Sequence, residues 1–301
     1  MGASLGASLT DLVGNTPLIP LRRIAAHVAP VEVYAKAEWF NPSGSVKDRA
    51  AWNIIRTAIQ DGRLTKGKTL LDATSGNMGI AYAMIGAALG YRVRLVIPAS
   101  VTPERKVILN AYGAEMIFTD PMAGSDGAIE KARQIYAQAP GEFFYANQYD
   151  NEANWLAHYH GTAEEIWRQT EGRITHFVTA LGTGGTFIGT GRRLRELNPH
   201  IRLVSLQPDS PLNAIEGWKH MPTAIMPKIY DPALADENIE ITTEEAQYVA
   251  RQLAREEGLF VSPSAGGAVA GALSVAERLK EGVIVTVLAD AGYKYTSERF
   301  W

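Results

Sequence analysis

Cysteine is absent from all 301 positions, which excludes disulfides, thiolate metal ligands and a cysteine nucleophile. That usage fits a reducing compartment, so a cytoplasmic location is expected. Neither charge sign is in surplus: 29 basic residues stand interspersed against 32 acidic ones, for a net −3. Neither nucleic acid nor a membrane surface is therefore an expected partner. The longest apolar run, IAYAMIGAALGY at 80–91, falls well short of the ~20 residues needed to cross a bilayer and reads as a buried helix. No targeting signal is expected either, because MGASLGASLTDLVGN lacks a basic n-region and Gly6 stands where a myristoylation signal carries Ser or Thr. What remains is the composition of an ordinary globular protein, 46% hydrophobic and 20% charged, with a length that favours two domains over one. The expected partner is a small molecule.

Short β-rich runs alternate with longer helical patterns along the chain. Residues 31–38 precede a helical 46–60, 69–74 precede 77–89, 91–99 precede 102–112, and 114–120 precede 125–138. Strand-like runs recur at 175–182, 201–208 and 282–290. Repeated β–α units imply an α/β fold of two open, mostly parallel twisted sheets with helices on both faces. The break falls near EFFYANQYDNEAN, 142–154, where a strand-like run gives way to polar turn residues.

Three loops join a strand to a helix in a way that suits anions. Gly182, Thr183, Gly184, Gly185 and Thr186 follow an apolar strand, where successive backbone N–H groups can converge on a phosphate at a helix N-terminus. No Lys-Ser/Thr follows the last glycine, so this is not a Walker loop; alone, it reads equally as a tight turn. Thr74, Ser75, Gly76 and Asn77 open another helix with hydroxyls, an amide and orphan N–H groups that suit a carboxylate, or Ser75 or Asn77 merely caps that helix. Ser264, before Gly266 and Gly267, carries the same ambiguity.

Lys47 lies behind the Pro-Ser-Gly-Ser turn of NPSGSVKDRA, in a first helical turn. A lysine there opposes the helix dipole and is ordinarily a solvated surface group. Ser45 and Asp48 fit a capping pattern for the same helix, and its positive end would depress the amine's pKa, as an imine-forming lysine requires.

Seven stretches then matter for their order: VGNTPLIPL (13–21), NPSGSVKDRA (41–50), TSGNMG (74–79), NQYDNEAN (147–154), GTGGT (182–186), SAGGA (264–268) and DAGYKY (290–295). Together they run nearly end to end, and the chain resembles the cysteine synthase and cystathionine β-synthase family of fold-type II pyridoxal 5′-phosphate (PLP) enzymes, on its cysteine synthase B side. The resemblance implies a tryptophan synthase β-like fold, with a smaller domain at 41–146 carrying the carboxylate loop. A larger, phosphate-binding domain would comprise 1–40 and 147–301. It implies that Lys47 carries the cofactor covalently and later takes the proton from the substrate's Cα. Asn77 would hold the cofactor's 3′ oxygen, Gly182 to Thr186 its 5′-phosphate, and Ser264 would face the pyridine nitrogen. Thr74, Ser75 and Gln148 would bind the substrate carboxylate, with Gly76 and Met78 beside them. A serine at the ring nitrogen leaves the pyridine largely uncharged, which favours β-elimination and replacement over transamination. The implied reaction is ping-pong replacement at Cβ of O-acetylserine by a sulfur nucleophile, in a homodimer.

Departures from the family pattern widen the choice of substrate. Met78 stands where most of the family has Thr, as in the branch that makes β-cyanoalanine; β-cyanoalanine or cystathionine synthesis is therefore an alternative, and a non-catalytic PLP-binding paralogue another. Ala265 replaces the second Ser of the usual Ser-Ser-Gly. The ending YTSERFW is expected to lack the tail of many relatives, and 301 residues leave no room for the haem-binding or regulatory modules of larger cystathionine enzymes. Lys219, within IEGWKHMP at 215–222, occupies the place of an arginine that in some relatives contacts the phosphate of O-phosphoserine; it substitutes for that arginine or is an exposed loop lysine. His158 and His160 lack a third ligand, so no metal is expected. Gln207 and Pro208, at a strand's carboxyl edge, are expected to border the cofactor.

Overall fold

The computed structural model describes residues 6–74 and 76–301. Two short strands, β1 (Leu18–Pro20) and β2 (Glu32–Ala37), lead into α1 (Lys47–Gln60). An alternating series follows: β3 (Thr69–Ala73), α2 (Asn77–Leu89), β4 (Arg92–Pro98), α3 (Pro103–Ala111), β5 (Glu115–Thr119), α4 (Gly124–Gln138) and β6 (Phe143–Tyr145). Two helices, α5 (Glu152–Ala157) and α6 (Ala163–Gln169), precede β7 (His176–Ala180), α7 (Gly185–Leu197) and β8 (Arg202–Pro208). The chain then forms β9 (Glu237–Ile241), α8 (Thr243–Gln252), α9 (Pro263–Ala276) and β10 (Val283–Leu288).

The strands make two sheets, as the β–α alternation predicts. One has the order β5-β4-β3-β6, parallel throughout; the other runs β1-β2-β10-β7-β8-β9, with only β1 antiparallel. Burial follows position in the sheet. Central strands β3 (TLLDA) and β10 (VIVTVL) are buried at every residue, as strands covered by helices on both faces must be. Edge strand β9 (ENIEI) alternates and exposes Asn238 and Glu240. Its mixed polarity, and the three-residue length of β1, gave no periodicity to read in the sequence.

Each sheet has its own core. Ile54, Leu70, Tyr82, Leu95 and Phe144 pack around the smaller sheet; Val33, Val178, Leu206, Val269 and Ile284 pack on one side of the larger, and Phe177, Phe187, Leu203 and Val285 on the other. Helix α2 is apolar on all sides and correspondingly buried, and it stops at Gly90, whose φ of 71° is the left-handed conformation of a helix C-cap. Among the described residues no helix is long and apolar enough to cross a membrane.

A buried ionic cluster fixes the start of α1. Arg49 Nε bonds Glu38 Oε2 at 2.7 Å and Nη1 bonds Glu165 Oε1 at 2.7 Å, while Lys36 Nζ reaches Glu165 Oε2 at 2.6 Å. Burial pushes the Glu38 carboxyl up, but the Arg49 guanidinium outweighs it and holds the group below the usual carboxylate range. The first turn of α1 is thereby pinned to β2 and α6.

Candidate active site

A cavity of about 590 Å³ lies where the carboxyl ends of both parallel sheets meet, the place where open α/β sheets gather ligands. The loops after β2, β3, β4, β6, β7, β8 and β10 all contribute to its wall. Lys47, Thr74, Asn77, Met78, Gln148, Gly182, Thr183, Gly184, Thr186, Lys219 and Ser264 line it. Lys47 and Ser264, 217 positions apart in sequence, thus share one space. Ser75 lies outside the described residues, and Gly76 and Gly185 sit just behind the wall.

Lys47 is the first residue of α1, and its amine projects into the cavity without a hydrogen-bond or ion-pair partner among the described residues. Burial lowers its pKa, opposed by the charges of Asp290 and Glu38. Desolvation, not the helix end, is therefore the main cause of the depressed basicity. The expected Ser45–Asp48 cap does not form. Asp48 reaches back to Ser43, accepting its N–H at 2.6 Å and its hydroxyl, while Ser45 Oγ accepts only the Lys47 N–H at 3.3 Å.

In the loop before α2, Thr74 Oγ1 accepts the N–H groups of Gly76 (3.0 Å) and Gly79 (3.2 Å). Asn77 does not cap the helix. Its Nδ2 donates to Asp290 Oδ2 at 2.7 Å, and its Oδ1 accepts from Lys294 Nζ at 2.9 Å. Gln148 Nε2 donates to Ala73 O at 2.7 Å, and Met78 is packed into the buried wall.

The glycine loop before α7 is shaped by close approach. A Cβ at Gly182 would lie 2.3 Å from Gly217 O, one at Gly185 would lie 2.1 Å from Asn154 Oδ1, and Gly184 takes a φ of 87°. Gly184, at the N-cap of α7, has no side chain to offer, and Thr183 Oγ1 accepts only the Gly185 N–H, at 3.3 Å; the N–H groups of Thr186 and Phe187, in the first turn, have no intrahelical acceptor. Thr186 Oγ1 lies 3.3 Å from His158 Nε2, whose ring also meets Thr162 Oγ1 at 2.9 Å. Burial pushes the His158 pKa down to about 3, so this imidazole is neutral. Ser264, near the start of α9, has its hydroxyl 2.9 Å from that of Ser262.

Two expectations need correction. Lys219 is not an exposed loop lysine: it is buried, its Nζ is 2.6 Å from Asp126 Oδ1, and it lies over the Tyr149 ring. Gln207 and Pro208 do not border the cavity, because Gln207 turns to Glu240 at 3.3 Å. His158 is a buried support for Thr186, and its neighbour His160 points elsewhere, against Tyr159. Sequence reasoning also passed over Arg105, Asp290, Lys294 and Tyr295. The last three fall within the DAGYKY stretch, which was a usable signal; Arg105 belongs to no motif.

An unpartnered amine, a glycine loop with free N–H groups at a helix start and a buried hydroxyl in one cavity fit a phosphorylated, aldehyde-bearing pyridine. The amine suits covalent attachment, the free N–H groups a phosphate, and the hydroxyl a ring nitrogen. The family described as pyridoxal-phosphate dependent enzyme matches residues 9–290. The chain belongs to this family. Within the family its relatives include a cysteine synthase of Aquifex aeolicus, 48% identical over 96% of this chain and 90% of that protein. Cysteine synthase B of Escherichia coli is 42% identical over 97% and 95%. The crystal structure of a cysteine synthase from Entamoeba histolytica superposes with a TM-score of 0.92 at 34% identity, covering 100% of this chain and 94% of that one. This pyridoxal-phosphate dependent enzyme therefore has the fold that its motifs implied.

Proposed function

We propose that this enzyme makes L-cysteine by β-replacement, exchanging the acetoxy group of O-acetylserine for a sulfur nucleophile such as sulfide. The observation that carries the reading is the unpartnered Lys47 amine, held in one cavity with the glycine loop and the loop before α2. Bound PLP supplies an electron sink at Cα, which makes the Cα–H acidic and the β-substituent labile.

The chain's own residues do the rest. Lys47 holds the cofactor and, when the amino acid replaces it, takes the Cα proton on Nζ; burial keeps more of that amine neutral than an exposed lysine would. Thr186 and the N–H groups of the 182–186 loop hold the phosphate, with neutral His158 fixing the Thr186 hydroxyl. Asn77 offers its remaining Nδ2–H to the 3′ oxygen, and Ser264 faces the ring nitrogen. Thr74, Gly76, Met78 and Gln148 surround the amino-acid carboxylate at the N-terminus of α2.

The Asp126–Lys219 pair supports O-acetylserine over O-phosphoserine. An ammonium already neutralised at 2.6 Å has little pull left for a phosphate dianion. In the same reading residues 41–146 form the smaller, substrate-closing domain, and the enzyme works as a cytoplasmic homodimer. Light scattering at micromolar concentration tests the last point.

Lys47→Ala decides the central claim. The variant is expected to lose the visible absorbance of lysine-bound cofactor and all turnover of O-acetylserine with sulfide. A variant that keeps both would end the proposal.

A further inference from the structure

Two serine hydroxyls meet at the start of α9, and only one of them belongs to the cavity wall. Ser264 lines the cavity, whereas Ser262 is wholly buried and does not; their Oγ atoms lie 2.9 Å apart. The order Ser-Pro-Ser sets this up. Pro263, the first residue of α9, holds the residue before it extended, and Ser262 takes φ −67° and ψ 164° as the N-cap. The Ser262 backbone is anchored as well, its N–H donating to Asp290 O at 3.3 Å.

The direction of the hydroxyl pair follows from the partners each oxygen has. As the cap, Ser262 Oγ accepts the Ala265 N–H at 3.3 Å. It still has one proton to give. Buried away from bulk water, that proton has a single acceptor among the described residues, Ser264 Oγ. The opposite sense, Ser264 donating to Ser262, would leave the Ser262 proton unbonded in the protein interior, which is strongly unfavourable. With Ser262 donating, the Ser264 proton has no acceptor among the described residues and turns to the cavity.

We propose that Ser262 is a positioning residue for the cofactor's ring nitrogen: its proton fills the Ser264 oxygen and so presents the Ser264 O–H outward as a donor. The inference rests on the placement of Ser264 at that nitrogen in the function proposed above, and deepens it. A hydroxyl that accepts a hydrogen bond is a better donor in turn. It is nevertheless far too weak an acid to surrender its proton, so the ring nitrogen stays an uncharged acceptor, as β-replacement requires.

The test is a cycle of Ser262→Ala, Ser264→Ala and the double variant. Three readouts apply: titration of the cofactor-free chain with PLP, the nitrogen NMR shift of ring-labelled PLP in the holoenzyme, and melting of the cofactor-free chain. Ser262→Ala loses its cap and should melt a few degrees lower whatever else it does. It is also expected to weaken PLP about threefold to tenfold and to move the ring-nitrogen shift toward that of a pyridine without a donor. In the Ser264→Ala background the same change should leave PLP affinity and the shift where Ser264→Ala alone puts them.

Wild-type affinity and shift in Ser262→Ala, or equal losses in both backgrounds, would make Ser262 a helix cap only and overturn the inference alone. Tighter PLP binding, with the shift moving the other way, would show that Ser264 donates to Ser262 and would overturn it equally. Wild-type affinity and shift in Ser264→Ala would overturn the placement of Ser264 at the ring nitrogen along with it.

Discussion

Asn77 Nδ2 donates to Asp290 Oδ2 across 2.7 Å, and the other end of the same amide accepts from Lys294 Nζ at 2.9 Å. Asn77 opens α2 beside the smaller sheet, whereas Asp290 and Lys294 follow β10 of the larger. The contact therefore joins the two walls of the cavity and fixes which way the amide faces. Held at both atoms, Asn77 keeps one N–H for a ligand and cannot flip to offer its oxygen.

Lys294→Met tests this clamp. The Lys294 ammonium also donates to Ser43 O at 3.0 Å and Gly44 O at 3.3 Å, so the change leaves buried acceptors unmet and should lower stability by about 1–3 kcal/mol. It should also weaken PLP binding by freeing the Asn77 amide. Thermal melts and a cofactor titration check the two effects separately; unaltered PLP affinity would show that Lys294 does not orient Asn77.

Asp126 governs the leaving group. Its Oδ1 neutralises Lys219, and its Oδ2 accepts the Ile225 N–H at 2.8 Å. Asp126→Asn leaves a full ammonium in the cavity, so kcat/KM for O-phosphoserine should rise about tenfold relative to O-acetylserine, a shift of roughly 1.4 kcal/mol. The gain should vanish in the Asp126→Asn, Lys219→Ala double variant. A ratio that stays constant across all four enzymes would mean that Lys219 does not reach the β-substituent.

Asp72 sets a pH dependence of stability. It is fully buried on β3 and accepts the N–H groups of Ala73 (2.9 Å) and Gln148 (3.2 Å). Burial pushes its carboxyl up from 3.8 to about 7. Between those values the folded chain keeps a proton that the unfolded chain releases, so Asp72 subtracts stability as pH rises from about 4 to 7 and subtracts no more above that. Asp72→Asn should therefore gain in melting temperature relative to wild type across that window and hold level beyond it. Melts at half-unit steps from pH 4 to 8.5 give the comparison. A constant difference would place the Asp72 pKa near that of an exposed carboxyl.

Much of the fold was legible because its signals are local. Residues 77–89 read as a helix from an unbroken apolar run and form α2; 282–290 read as a strand from its β-branched residues and contain β10. The strands that went unread were too short or too polar to carry a period. At the site, Lys47 and the 182–186 loop were legible from the turn and glycine chemistry around them. The Ser45–Asp48 cap was misread because local spacing could not show that Ser43, five residues back, offers Asp48 both an N–H and a hydroxyl.

By itself the sequence determined the α/β alternation, the three anion-suited loops and, through seven ordered motifs, the family with its cofactor. These depend on backbone preferences and residue types within a few positions of one another, which any register of the fold preserves. The tertiary structure alone decided the charges of the cavity. Lys219 meets Asp126 from 93 positions away and Asn77 meets Asp290 from 213, while Arg105 lies behind Gly76 because α3 packs beside the loop before α2. Each pairing follows from how two separately cored sheets dock, and Coulomb forces in a desolvated site depend on ångström-scale distances that sequence separation does not encode.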